Sequence, residues 1–129
     1  MSAFVPEKYR VLIVDDEEDL AEIIQEELQD YGFHVELATS GNSAFQKVQE
    51  SAFDLVISDI KMPDGDGCEL LENIRKLHPS SPVVMLMTGF SQYSEDDLIA
   101  RGAAALLEKP IDVESIYETL KDHFQSKAS

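Results

Sequence analysis

The chain has 129 residues and a hydrophobic content of 43%, which suits one globular domain rather than a disordered chain. Its 26 acidic residues outnumber its 10 basic residues and give a formal net charge of −16. Such an acidic surface repels nucleic-acid phosphates and anionic lipids, so we expect no direct nucleic-acid or membrane binding. Cys68 is the only cysteine, which excludes an intrachain disulfide and a cysteine-based zinc site.

Hydrophobic patterning in the first half of the chain alternates between strands and helices. Residues 11–14 form an apolar run typical of a strand buried on both faces. Apolar residues spaced by three and four positions then predict a helix over residues 20–31, ended by Gly32. Residues 34–38 predict a second strand, and Ser40 is a suitable cap for a second helix.

The same alternation continues to the end of the chain. Residues 55–57, 83–87 and 104–107 predict three more strands, and helices follow them over residues 70–77, about 96–101 and from a cap at Asp112 onward. Five strands, each followed by a helix, predict an α/β fold in which helices cover both faces of a doubly wound parallel sheet.

The domain organisation is simple in sequence. No linker or repeat interrupts the alternation, so we expect a single domain over residues 1–129, with a core of about 9–124 and a short tail at 125–129. The first ten residues lack an apolar leader segment, and the longest fully apolar runs, 83–87 and 103–107, are too short to span a bilayer. We therefore expect a cytoplasmic protein.

Polar residues follow four of the predicted strands. They are Asp15 and Asp16 after the first strand, Asp59 after the third, Thr88 (followed by Gly89) after the fourth, and Lys109 (followed by Pro110) after the fifth. Ligands of open parallel sheets bind at the carboxyl ends of the strands, so we expect the three aspartates, Thr88 and Lys109 to converge on one edge.

The acidic residues favour a divalent cation. Residues 15–19 are all acidic, whereas a dinucleotide or flavin phosphate needs a glycine-rich loop there. Hard carboxylate oxygens select Mg²⁺ or Mn²⁺ over zinc, and a small set of carboxylates with room for water favours Mg²⁺. A calcium-binding EF-hand starting at Asp64 fails, because Cys68 and Arg75 occupy positions that must supply oxygen ligands. Taken alone, Asp15 and Asp16 are better interpreted as caps of the first helix, and it is their convergence with Asp59 that favours the metal site.

Lys109 and the aspartates together suit phosphoryl chemistry. An ammonium group beside a metal can hold phosphoryl oxygens, and a carboxylate can act as a nucleophile and form an aspartyl phosphate. Residue chemistry does not decide which aspartate reacts. We favour Asp59, which has no acidic neighbour in sequence.

Four segments in this order, VLIVDDEED, DLVISDIKMPDGDG, VVMLMTGF and ALLEKP, closely resemble the receiver domain of two-component response regulators. The resemblance covers residues 11–124 and implies a flavodoxin-like fold with strand order 2-1-3-4-5. It further implies that Asp59 accepts a phosphoryl group from a phosphohistidine on a histidine kinase or a histidine phosphotransfer protein. The phosphorylated domain would then change its contacts with a downstream protein target.

The resemblance also implies roles for the other residues at this edge. Asp16, Asp59 and the backbone carbonyl of Lys61 would bind Mg²⁺, with Asp15 acting through water. Lys109 would pair with the phosphoryl group, and its bond to Pro110 would be cis. Thr88, with Gly89 leaving room beside it, would move toward the phosphoryl group and remodel the face formed by the fourth helix, fifth strand and fifth helix.

Three features depart from the family pattern or vary within it. Leu106 occupies the position where the family usually has a Tyr or Phe that changes rotamer during switching. Gly65 replaces what is often a larger residue. Lys61 and Phe90 occupy the two positions that the family uses to tune the lifetime of the phosphoryl group.

These features predict a phosphorylatable signalling receiver, not an enzyme, although it would assist its own phosphorylation and dephosphorylation. One alternative, suggested by Leu106, is an interaction module that no longer depends on phosphorylation. A second alternative is a magnesium-dependent aspartyl phosphatase. Against it, Lys61 stands two residues after Asp59, where such an enzyme needs a second acid.

Overall fold

A five-stranded parallel sheet forms the centre of the computed structural model, which describes residues 4–89 and 93–128. Strands and helices alternate in the order β1 (Arg10–Val14), α1 (Glu18–Tyr31), β2 (His34–Ala38), α2 (Gly41–Glu50), β3 (Leu55–Asp59), α3 (Gly67–Leu77), β4 (Val83–Thr88), α4 (Glu95–Ala100), β5 (Ala105–Glu108) and α5 (Val113–Ala128). The order across the sheet is β2-β1-β3-β4-β5, with every neighbouring pair parallel. The predicted doubly wound fold is confirmed.

Alternate residues of the central strands pack into two separate apolar layers, one on each face of the sheet. In β1, Leu12 and Val14 pack on the side of α2, α3 and α4, whereas Val11 and Ile13 pack on the side of α1 and α5. All four side chains are fully buried. Because both faces of the sheet are covered, these strands appear in the sequence as continuous apolar runs rather than alternating ones.

The predicted helix boundaries have identifiable causes. Gly32 ends α1 with φ 111°, a left-handed conformation that glycine adopts without a Cβ clash. Ser40 caps α2 in a reciprocal pair with Ser43, and Asp112 accepts a hydrogen bond from the backbone N–H of Glu114 at the start of α5. These three sequence predictions are confirmed.

The two ends of the chain are more ordered than the sequence predicted. Phe4 stacks on Tyr9 and lies against Phe124 of α5, so the apolar core begins before residue 9. Helix α5 continues through residues 125–128, which were expected to form a tail. With 16 residues it is the longest helix, and no helix in the described part of the chain is long and apolar enough to cross a membrane.

Candidate functional site

The carboxyl ends of the strands bring the predicted polar residues to one edge of the sheet. Asp15 directly follows β1, and Lys109 directly follows β5. Asp59 and Thr88, which we expected just beyond their strands, are instead the last residues of β3 and β4. Because they belong to the sheet ladder, their backbones are fixed by strand pairing rather than by loop conformation.

Backbone hydrogen bonds beyond the strands hold this edge together. The N–H of Asp15 donates to the carbonyl of Ala38 at 3.1 Å, which ties the end of β1 to β2. At the end of β5, the N–H of Lys109 donates to the carbonyl of Thr88 at 2.9 Å, which ties β5 to β4. The site therefore rests on rigid elements, which keeps its charged groups in a fixed relative position.

The ammonium group of Lys109 lies between two buried carboxylates. Its Nζ is 3.2 Å from Oδ2 of Asp15 and 3.2 Å from Oδ2 of Asp59. The Asp15 side chain is completely buried, whereas that of Asp59 is 10% exposed and that of Lys109 is 18% exposed. Such a buried group of charges persists only when the charges compensate one another, and Lys109 supplies the positive charge.

Burial and charge act in opposite directions on these groups. Burial raises the pKa of Asp59, Lys109 lowers it, and the nearby Asp15 carboxylate raises it again, with a net rise above the usual value of 3.8. For Lys109, burial alone lowers the pKa, but the Asp59 and Asp15 carboxylates outweigh it and raise the pKa above 10.5. Ionisation of Asp59, the aspartate that is predicted to react, therefore costs the fold stability.

We expect the variant Asp59→Asn, with metal removed by a chelator, to be more stable than the natural chain at pH 7. A carboxyl group whose pKa is raised by folding destabilises the fold when ionised, and this cost disappears as the pH falls toward 3.8. The stability gap should therefore narrow as the pH falls through the raised pKa. Urea denaturation at several pH values measures it.

The control for this experiment is Asp122→Asn, which neutralises an exposed carboxylate on α5. Its free energy of unfolding should stay within about 0.5 kcal/mol of that of the natural chain. An Asp59→Asn variant that is less stable than the natural chain at pH 7 would contradict the assigned pKa direction.

Three aspartates can offer oxygens to one cation. One carboxylate oxygen from each of Asp15, Asp16 and Asp59 lies within 4.8 Å of the other two. An octahedral Mg²⁺ ion with ligands at about 2.1 Å holds opposite ligands about 4.2 Å apart, so small side-chain adjustments would bring the three oxygens into one shell. Asp16 is exposed, which leaves an entry path from solvent. The donor set fits Mg²⁺ and not a softer metal.

The remaining predicted residues lie around this cluster. Gly89 follows Thr88, and among the residues that the structure describes, other than its chain neighbours, no atom lies within 4 Å of a Cβ built on it. The bond between Lys109 and Pro110 is cis. Lys61 lies in the loop between β3 and α3, and its role as a carbonyl ligand stays a prediction. Phe90, predicted to tune phosphoryl lifetime, lies outside the described residues.

Leu106, at the position of the expected aromatic residue, is part of β5 and pairs with Leu86 in β4. Its half-buried side chain packs on the apolar layer below α4. Its backbone N–H donates to Oε2 of Glu95, the first residue of α4, at 3.0 Å. No sequence pattern predicted this side-chain link between α4 and β5.

Two glycines in the β3–α3 segment pack closely at this edge; the sequence pattern singled out Gly65 but not Gly67. A Cβ on Gly67 would lie 2.4 Å from the carbonyl oxygen of Asp59, and a Cβ on Gly65 would lie 2.9 Å from the backbone nitrogen of Asn42. Gly65 also has φ 95°, which explains why no larger residue stands there. The available signal was the run Asp64–Gly67, which is part of the DLVISDIKMPDGDG motif.

The sequence is similar to that of a known protein family. A family model of the response regulator receiver domain matches residues 11–121. The transcriptional regulatory protein ZraR of Salmonella typhimurium is 37% identical over 115 residues, covering 88% of this chain and 26% of that protein. The probable transcriptional regulator ycf29 of Porphyra purpurea is 35% identical over 116 residues, covering 88% of this chain and 56% of that protein. The chain thus spans about a quarter and about half of these two relatives.

Solved structures are similar to this chain as well. A CheY-like response regulator receiver domain protein from Methanospirillum hungatei is 30% identical with a TM-score of 0.83, covering 93% of this chain and 96% of that one. The response regulator TrrA of Thermotoga maritima, solved in complex with Mg²⁺ and BeF, is 34% identical with a TM-score of 0.79, covering 88% and 97%. From its fold, its acidic edge and the matched family model, the chain belongs to the response regulator receiver domain family.

Proposed function

We propose that Asp59 accepts a phosphoryl group from a phosphohistidine of a histidine kinase or a histidine phosphotransfer protein. The observation that carries this proposal is the position of Lys109, whose Nζ is 3.2 Å from both the Asp15 and the Asp59 carboxylates. A fixed ammonium next to a strand-end carboxylate can pair with the oxygens of a phosphoryl group arriving at that carboxylate.

The transfer forms one bond and breaks one. An oxygen of the Asp59 carboxylate attacks phosphorus, a P–O bond forms, and the P–N bond to histidine breaks with its electron pair returning to the imidazole. Lys109 stabilises the charge on the phosphoryl oxygens. The hydroxyl of Thr88 would donate to one of these phosphoryl oxygens, because Thr88 ends β4, the strand next to that of Asp59. A bound Mg²⁺ ion would supply further positive charge to the same oxygens.

The metal would be held by the side chains of Asp16 and Asp59 and by the backbone carbonyl of Lys61, with Asp15 acting through water. Two facts about the residues support this. The three carboxylates gather their oxygens within 4.8 Å, and a single ammonium does not neutralise three negative charges. Mn²⁺ has similar ligand preferences and would be an acceptable substitute.

The signal would be read through protein contacts on the face formed by α4, β5 and α5. Thr88 precedes the segment that leads to α4, and Lys109 precedes the segment that leads to α5. Movement of these two residues toward a phosphoryl group would therefore act on both helices. The same site would assist hydrolysis of the aspartyl phosphate, at a rate tuned by Lys61 and Phe90.

Mass spectrometry of the intact protein tests the proposal. With acetyl phosphate and Mg²⁺, we expect the chain to gain the mass of one phosphoryl group, and to gain none when a chelator is present. Asp59→Asn should gain none under either condition. Asp64→Asn, which changes an exposed carboxylate in the loop between β3 and α3, should react like the natural chain.

The other two hypotheses give different results in this experiment. An interaction module independent of phosphorylation would form no adduct and would not respond to beryllofluoride. A phosphatase would consume many donor molecules per protein while accumulating little adduct. Either result would overturn the proposal.

A further inference from the structure

A third carboxylate lies against Lys109 on its solvent side. Oε1 of Glu17 is 3.8 Å from Nζ of Lys109, and the Glu17 side chain is 67% exposed. Its position is distinct from those of Asp15 and Asp59, which are buried beneath the ammonium. Although Glu17 precedes α1, its side chain makes no capping hydrogen bond to the helix. Helix capping therefore does not account for its orientation.

Glu17 changes the charge that an incoming phosphodonor meets. With a divalent cation bound, the charges of Asp15, Asp16 and Asp59 are balanced by that cation together with Lys109. Glu17 adds one uncompensated negative charge at the exposed side of the ammonium. A phosphodonor is itself an anion, and its oxygens must reach Lys109 past this carboxylate.

We propose that Glu17 is a specificity-determining residue for phosphoryl transfer. Its carboxylate competes with the phosphoryl oxygens for Lys109 and disfavours small phosphodonors in proportion to their negative charge. The inference rests on the proposed function, since it concerns the same transfer to Asp59. Glu17 acts through Lys109 and the local potential and does not itself contact the reacting phosphorus.

The test compares two donors of different charge on three proteins. Initial rates of adduct formation are measured by intact mass at saturating Mg²⁺, with the dianion acetyl phosphate and the largely monoanionic phosphoramidate. The proteins are the natural chain, Glu17→Gln and Glu18→Gln. Glu18 is the exposed first residue of α1, and its substitution removes the same formal charge one residue further along the chain.

For Glu17→Gln, we expect acetyl phosphate to react roughly fivefold faster and phosphoramidate roughly twofold faster than with the natural chain, and both gains to shrink at high salt. Glu18→Gln should stay within about 1.5-fold with both donors, because its charge is further from the ammonium. A merely structural role of Glu17 would change both donors equally and would not respond to salt.

Binding of beryllofluoride gives a readout without turnover. In titrations followed by the amide resonances of Gly89 and Lys109 at saturating Mg²⁺, Glu17→Gln should bind the anion roughly threefold more tightly than the natural chain. Equal donor ratios in all three proteins, with the adduct still on Asp59, would overturn the role of Glu17 alone. Absence of any adduct in the natural chain would overturn both this inference and the proposed function.

Discussion

Replacing Lys109 with alanine should lower the free energy of unfolding by about 3 kcal/mol in the absence of metal, because it leaves the buried Asp15 and Asp59 carboxylates without their cation. Mg²⁺ should still bind to the variant, since no proposed metal ligand is removed. It should also raise the melting temperature more than in the natural chain, because it becomes the only compensating charge. Thermal denaturation with and without Mg²⁺ measures both effects.

The same variant should lose the switching response. When beryllofluoride and Mg²⁺ are added to the natural chain, we expect amide shifts in β5 and at the start of α4, at Leu106 and Glu95. In Lys109→Ala these shifts should be absent. Lys47→Ala is the matched control, because Lys47 lies 3.8 Å from Glu36 and both side chains are well exposed. Its stability should change by less than about 0.5 kcal/mol. Shifts in Lys109→Ala as large as in the natural chain would contradict its assigned role.

Gly67→Ala should be destabilising although alanine is the better helix former. Helix propensity alone favours alanine over glycine, by about 1 kcal/mol in a helix interior and by less at the first residue of a helix. The new Cβ, however, would lie 2.4 Å from the carbonyl oxygen of Asp59 and 3.0 Å from Cα of Ile60. Either α3 or the end of β3 must move, and we expect a net loss of about 2–3 kcal/mol.

The displaced strand end carries Asp59, so phosphorylation of Gly67→Ala should also slow. Urea denaturation and the rate of adduct formation measure the two effects. Gly89→Ala is the control for stability, because none of the described residues beyond its chain neighbours lies within 4 Å of its Cβ position, and the change should stay within about 0.5 kcal/mol. If Gly67→Ala were as stable as the natural chain, the close packing of α3 on the end of β3 would be wrong.

The fold and the charged cluster were predictable for different reasons. Strands buried on both faces appear as uninterrupted apolar runs, so residues 11–14 and 83–87 identified β1 and β4 directly. Parallel pairing then places every strand end at one edge, which brought Asp15, Asp59 and Lys109 together without knowledge of side-chain positions. The parallel arrangement of the strands was therefore enough to predict that these three side chains lie together.

The features that we did not predict depend on side-chain and backbone conformations that the sequence pattern does not distinguish. Glu17 lies in a run of five acidic residues, and nothing in their order shows which carboxylate turns toward Lys109. Helix α5 continues over residues 125–128, but these residues have no apolar periodicity that would predict a helix. The contact of Phe4 with Phe124 joins the two ends of the chain, a separation at which local patterns carry no information.

The hydrogen bond between Glu95 and the N–H of Leu106 has a consequence for self-association. Strand β5 lies at the edge of the sheet, and an open edge offers backbone donors to which another extended chain can add. Glu95 occupies one of these donors and places a negative charge beside it. An approaching strand would have to displace this carboxylate and bury its charge. The first turn of α4 thus disfavours edge-to-edge aggregation at Leu106 of β5, where the backbone N–H could otherwise bond to a strand of another molecule.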